Sequence, residues 1–294
     1  HDAHETTWIE SNPQVQEAFA LRGLTELVDI YDTGNPRKFL ETVAEPFDVV
    51  VLEAAAQEGD PAGEEYLLTV EGLEAALAAV EQDGIVAIPL RLYNPPKYLP
   101  KLMLMIKEVF DGMGITQPEE HVAAFRSMQE GIVLVSPSEL GGEEQAVLRG
   151  FAKEWGFDLV ALPGLKREEA NQYHQVETPI HFDTARAVFD GKELPEEAAW
   201  YWTDPPTDSR PYFWQSVRWS RLSDLWSSMG RQGLVYIDWA LLMLVATLVV
   251  AAVLAFVLIL LPLGRIPRTE KPLSRPRVLA YFAALGLGYL LVEL

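Results

Sequence analysis

Three carboxylates stand where a strand-like run gives way to a turn or helix signal. Glu10 closes the run 6–10, Asp32 follows the run 24–31, and Glu53 follows the apolar run 47–52. In an open α/β sheet, ligands bind in the crevice outside the carboxyl ends of the strands. There, an acid closing the second strand of such a sheet can accept both hydroxyls of a nucleoside ribose. One closing the third can accept from an adenine amino group. Acids often follow strands as helix caps, so this spacing alone is a weak signal and leaves a structural role open.

The elements that must position these acids alternate. After the first run, Asn12-Pro13 opens a helical pattern through Ala18, Phe19 and Leu21, with proline suited to the first turn. The second run ends in the turn 32–36, and a short helix is expected over 37–43. The nearly continuous apolar run 47–52 fits a strand covered on both faces. Residues 53–63 read as a loop with a turn at Gly59-Asp60-Pro61, followed by a helix over 70–80, a turn at Asp83-Gly84 and a strand over 85–90. An amphipathic helix is expected over 98–113, antiparallel-type strands over 125–128 and 131–136, a helix over 143–155 and a last strand over 157–162. Strands alternating with helices predict a mostly parallel, Rossmann-like sheet. Residues 166–235 read as a more irregular connector, rich in aromatic residues and proline towards its end.

Composition excludes several kinds of chemistry. With 294 residues the chain is long enough for two domains, and residues 1–235 alone could bury a full-sized core. The net charge is −20, and the part before Trp239 holds 18 basic against 41 acidic residues. A nucleic-acid partner is not expected, because phosphate neutralisation needs a basic face. The acidity suits either a solvated surface or the attraction of a cationic substrate such as a polyamine. There is no cysteine, so thiolate nucleophiles, thiolate metal sites and disulfides are excluded. The five histidines show no metal-ligand spacing, and no metal is expected.

The last fifth of the chain is of another kind. Residues 239–263 carry no charge and are interrupted only by Thr247 and Pro262. At 1.5 Å rise per residue this run spans a hydrocarbon core of about 30 Å. Tyr236 and Trp239 sit where an interfacial aromatic belt would place them. A transmembrane helix is therefore expected over 236–264, a basic loop over 265–277, and a second, truncated span over 278–294. Gly286 and Gly288 would let that second span pack closely. Both ends of the sequence read as cut: residue 1 is histidine, and the final apolar run breaks off.

Specific motifs then converge on one family. Glu10-Ser11-Asn12-Pro13 resembles the E-x-N-P step of spermidine synthases and related class I methyltransferase folds. The stretch from Phe47 through Leu68-Thr69-Val70-Glu71 to Gly84 resembles their fourth strand, gatekeeping loop and following helix. Thr207-Asp208-Ser209-Arg210-Pro211-Tyr212-Phe213 resembles the TDDRPFF signature of bacterial membrane-embedded spermidine synthase-like proteins. Leu285-Gly286-Leu287-Gly288-Tyr289 resembles the start of their next membrane helix.

The resemblance implies an α/β fold: a class I methyltransferase-type sheet over residues 1–165, followed by transmembrane helices. It implies S-adenosylmethionine or its decarboxylated form as co-substrate, with Glu10 on the ribose and Asp32, beside Gly34, on the adenine side. It places the Gly-rich loop for the methionine part before residue 1. Aminopropyltransferases carry a D-x-x-D-P stretch after the fourth strand, and here it reads Glu53-Ala54-Ala55-Ala56. The first acid is retained as Glu53, which would hold or deprotonate the acceptor amine. The second is Ala56, and Asp60 is the acid that could substitute for it.

Several alternatives stay open. The acceptor is a small molecule of polyamine type or a different one, the transferred group is aminopropyl or methyl, and a homo-oligomer is compatible with either. Asp208 and Arg210 read either as an ion pair fixing the linker or as a substrate contact at the domain edge. The basic loop places the soluble domain outside by the positive-inside rule, whereas the co-substrate places it inside. The expected location is the bacterial inner membrane. The rival reading is a non-catalytic domain that senses a ligand or scaffolds a membrane assembly.

Overall fold

A computed structural model of the chain describes residues 6–9, 13–21, 29–31, 35–53, 63–221, 223–224, 227, 239–260, 276, 278–284 and 286. Among these, the strand-like runs pair into two sheets. β1 (Thr7–Ile9) and β2 (Asp29–Tyr31) are parallel, with α1 (Pro13–Leu21) between them in sequence. The second sheet comprises β3 (Phe47–Val51), β4 (Val80–Arg91), β5 (Val122–Arg126), β6 (Glu130–Val135) and β7 (Asp158–Ala161), in the order β3-β4-β6-β5-β7. Ahead of β3, α2 (Pro36–Thr42) starts where Asn35 accepts from the Lys38 amide and Pro36 fills the first turn.

Only β3 and β4 are parallel in the larger sheet; the remaining pairs are antiparallel. The sheet is thus mixed rather than mostly parallel. The cause is local: β5 and β6 are joined by residues 127–129, too short a link for a crossover, and the Ser127 amide donates to the Glu130 carbonyl across the turn. The expected turn at Asp83-Gly84 is a bulge inside β4. Phe47 stands opposite Val80 but Val49 opposite Ile85, so β4 carries extra residues against β3. A Cβ on Gly84 would lie 2.9 Å from the Glu81 amide nitrogen, so glycine is needed there.

Side chains of β5 alternate between two apolar clusters, as a strand buried on both faces requires. Val122 and Ala124 belong to the larger cluster, and Ala123 and Phe125 to the smaller. The larger cluster takes in α3 (Val70–Ala78), α4 (Leu99–Gly112) and α6 (Ile180–Phe189). The smaller takes in Ala152 of α5 (Gly142–Trp155) with Leu140, Leu162 and Leu165. In α4, Leu102, Met105, Ile106 and Val109 are all at most 1% exposed. Burial at about 1.5–3 kcal/mol per large aliphatic side chain outweighs a missing cap of about 1 kcal/mol. That explains how α4 stands without a side-chain cap at Tyr98. Ala185, Val188, Phe213 and Trp214 of the expected connector lie in the same core.

The chain divides into two compact units, His1–Leu241 and Leu242–Leu294. α7 (Trp239–Ala255) is apolar all round and continues as a π-helical turn, Phe256–Leu260. Its 17 residues reach about 25 Å at 1.5 Å each. Among the described residues, no helix is long and apolar enough to cross a membrane. Most of the stretch expected as a second span, 278–294, lies outside them.

Candidate functional site

One end of the larger sheet gathers most of the chemistry. β3 and β4 leave it side by side, with Val51 level with Ala87 and the Leu52 amide donating to the Ala87 carbonyl. Glu53 therefore emerges exposed beside the last residues of β4. β6 is antiparallel to β4, and β5 to β6, so β5 ends at Arg126 on this same end and β7 begins there at Asp158.

The exit of β4 is densely packed. Asn94-Pro95 is a cis peptide; Pro95 and Pro96 are buried and Asn94 is exposed. The Lys97 ammonium lies 5.4 Å from the centre of the Tyr93 ring and 4.7 Å from that of Tyr98, and Arg91 lies 5.6 Å from Tyr93. These distances are in the range of cation–π attraction. The Tyr93-Asn94-Pro95-Pro96 stretch thus stands on the same sheet end as Glu53. Of the residues expected to bind nucleoside or acceptor, Glu53 alone falls within the described residues. Glu10, Asp32, Gly34 and Asp60 lie outside them.

Residues 200–217 double back on themselves and clamp this end from the β3 side. Tyr201 bridges Val217, and the Trp202 amide donates to the Ser216 carbonyl. The tip is a turn in which the Arg210 amide donates to the Thr207 carbonyl over 2.7 Å. Because β3 and β4 are parallel, α3 between them must run back, so its N-terminus lies at the carboxyl end of β3. The tip grips that N-terminus. The Thr69 hydroxyl donates to Asp208 Oδ1 over 2.7 Å while accepting from the Gly72 amide over 2.9 Å. The Asp208 amide donates to Glu71 Oε2, the Val70 amide to the Pro206 carbonyl, and the Glu65 amide to the Pro211 carbonyl. A Cβ on Gly72 would meet the Tyr66 carbonyl at 2.5 Å, so the close packing of residues 66–67 against the start of α3 requires glycine.

Asp208 and Arg210 do not face each other. Asp208 turns to Thr69, with Arg37 at 3.8 Å, and Arg210 lies 5.6 Å from the Trp202 ring centre. The expected ion pair between Asp208 and Arg210 is thus not formed, and Asp208 ties the segment to α3 through Thr69 instead. Sequence reasoning missed the reinforcement behind it. Lys101, 1% exposed on α4, donates to the main-chain carbonyls of Phe213 and Gln215. Phe213 and Trp214 pack their rings against Tyr98 at 6.1 and 5.0 Å. The signal was a lysine on the apolar face of an expected helix. Nearby, burial pushes the Glu65 carboxyl up, partly offset by the Leu67 amide that it accepts.

The β7 side is tied by a buried ion pair. Arg126 lies 3.2 Å from Asp158, and both side chains are almost fully buried. Asp158 also accepts three successive amides, from Gln172, Tyr173 and His174, and Asn171 before them adopts φ 60°. Arg126 donates to Asn171 Oδ1 over 2.8 Å and to the His174 carbonyl over 2.6 Å. His181 on α6 joins this side to the β4 exit, its Nε2–H donating to the Tyr93 carbonyl over 2.9 Å. Burial pulls the His181 imidazole down to about 4, opposed by the Tyr93 hydrogen bond, so it is neutral at neutral pH.

Among the described residues, no group of histidines and carboxylates could hold a metal ion. The arrangement offers one exposed carboxylate at the end of β3, a cation-flanked aromatic loop at the end of β4, and a rigid frame on either side.

No protein-family profile matches the chain, and no curated protein matches it. Among solved structures it is similar to a probable spermidine synthase from Corynebacterium glutamicum ATCC 13032, at 16% identity and a TM-score of 0.37. The match covers 50% of this chain and 53% of that one, so this chain spans about half the length of that protein. The molecule is a mixed α/β protein, and so loose a likeness transfers no site to it.

Proposed function

We propose that the chain is a membrane-anchored, spermidine synthase-like transferase that takes S-adenosylmethionine or its decarboxylated form as co-substrate. Glu10 and Asp32, with Gly34 beside them, hold the nucleoside. Glu53 faces the acceptor, with Asp60 as its second acid. The acceptor nitrogen gives its proton to Glu53, and its lone pair forms a bond to the carbon on the sulfonium. The C–S pair then returns to sulfur, leaving a neutral thioether. The bilayer anchor is the apolar run 239–263 together with 278–294.

One observation carries this reading. The motif at 207–213 is built onto the residues that follow the loop after β3, at the sheet end where Glu53 emerges. A segment far away in sequence is thus spent on framing the entrance that an acceptor would use.

The test is transfer by the full-length protein in detergent, from each form of the co-substrate to a diamine, with Glu53→Gln as the variant. The expected result is a loss of about 100-fold or more in turnover, the usual worth of a general base, with co-substrate affinity unchanged. Wild-type turnover that Glu53→Gln leaves intact removes Glu53 from the reaction.

The rival, a ligand-sensing or scaffolding domain, is favoured by a specific feature. Arg91 and Lys97 gather positive charge at the β4 exit, which repels a polycation, and Ala56 stands in place of a second acid. Binding of co-substrate without transfer to any amine would decide for it.

A further inference from the structure

The tip of the segment 200–217 makes a set of directed bonds that ordinary packing does not require. Asp208 is half-exposed and engages through both its carboxylate and its amide. The carbonyls of Pro206 and Pro211 accept the amides of Val70 and Glu65. Behind the tip, buried Lys101 holds the next carbonyls, of Phe213 and Gln215, against α4. The tip is therefore fixed on one side to a rigid core helix and on the other to residues 64–71. Those residues form the returning stem of the loop that leaves β3 at Glu53.

We propose that residues 207–213 act as a clasp that fixes this stem, with Asp208 and Lys101 as positioning residues for the acceptor side of the site. The proposal rests on the transferase reading for its consequence, and on the hydrogen bonds alone for its mechanism. Free of the clasp, the stem loses the bonds at Glu65 and Val70 and the hydroxyl bond at Thr69. The entrance beside Glu53 then loses its fixed geometry.

Hydrogen exchange and ligand titration on the full-length, detergent-purified protein test this. Asp208→Ala carries the test because its side chain is half-exposed, whereas Lys101→Met can fail to fold. In Asp208→Ala, exchange at the Glu65 and Val70 amides should rise at least tenfold while the Ile88 and Ile106 amides stay protected. Affinity for 1,4-diaminobutane in the presence of decarboxylated S-adenosylmethionine should fall at least fivefold, with co-substrate affinity within twofold of wild type. Asp208→Asn keeps the Oδ1 acceptor for Thr69 and should restore both. Unchanged exchange at Glu65 and Val70 overturns the clasp. Parallel loss of diamine and co-substrate affinity overturns its positioning role in favour of a general structural one. A wild type that binds neither ligand overturns the transferase reading instead, and exchange alone then decides the clasp.

Discussion

The two sides of one sheet end are secured by opposite means. On the β3 side, the 207–213 tip uses a hydroxyl, a half-exposed carboxylate and main-chain carbonyls. On the β7 side, Arg126 and Asp158 are almost fully buried, and Asp158 spends its lone pairs on three amides as well. A neutral or solvated hydrogen bond is worth about 0.5–1.5 kcal/mol, so the first side can be opened bond by bond. A buried ion pair with one member removed leaves an uncompensated charge and costs about 3–5 kcal/mol, so the second side holds or fails as a unit. A loop that must admit a ligand is better framed by the first kind of tie, and a permanent edge by the second.

The largest expected effect breaks the stiff side. Asp158→Asn puts an amide nitrogen against groups that already donate and strands the Arg126 charge, so stability should fall by about 3–5 kcal/mol in denaturant unfolding. A loss under about 1 kcal/mol would show the pair to be open to water and the contrast to be false.

An intermediate effect sharpens the link between the sides. His181 has a folded pKa of about 4, below its ordinary 6.5, so its contribution is present above pH 6.5 and is lost as pH falls towards 4. The loss by pH 4 is on the order of 3 kcal/mol. His181→Gln can still donate to the Tyr93 carbonyl and does not titrate. The difference in stability between it and the wild type should therefore vary over pH 6.5–4 and be flat above. A difference independent of pH would show that His181 is not held neutral.

The smallest effect belongs to the yielding side. Arg37 stands 3.8 Å from Asp208, a long and partly solvated pair, so Arg37→Ala should change stability by less than about 1 kcal/mol. A larger loss would mean that the clasp depends on charge rather than on the Thr69 hydroxyl.

Much of the core was legible because its period is local. The run 47–52 became β3, although as an edge strand with Val49 and Val51 exposed rather than covered on both faces, and the apolar face at Leu102, Met105, Ile106 and Val109 became the buried face of α4. The expected strand over 125–128 falls instead at Val122–Arg126, since Ser127 belongs to the turn that folds β6 back. The Asp83-Gly84 pair looked like a turn and is a bulge, because β3 continues past it and keeps β4 extended. The short link 127–129 already makes β5 and β6 antiparallel, but the edge that β6 then finds on β4 is a non-local choice that alternation in sequence does not report.

By itself, the sequence determined the α/β composition, the apolar run from 239 to 263, the absence of thiol chemistry and the presence of an acid after β3. Periodicity, charge and residue type are properties of neighbours, and neighbours are what a sequence lists. Only the tertiary structure decided that Lys101 caps the carbonyls of Phe213 and Gln215, and that Asp208 turns to Thr69 rather than to Arg210. It alone decided that Arg126 meets Asp158. Each of these joins residues far apart along the chain. A buried polar group takes whichever partner the packed core brings within 3 Å or so, and no local pattern fixes that choice.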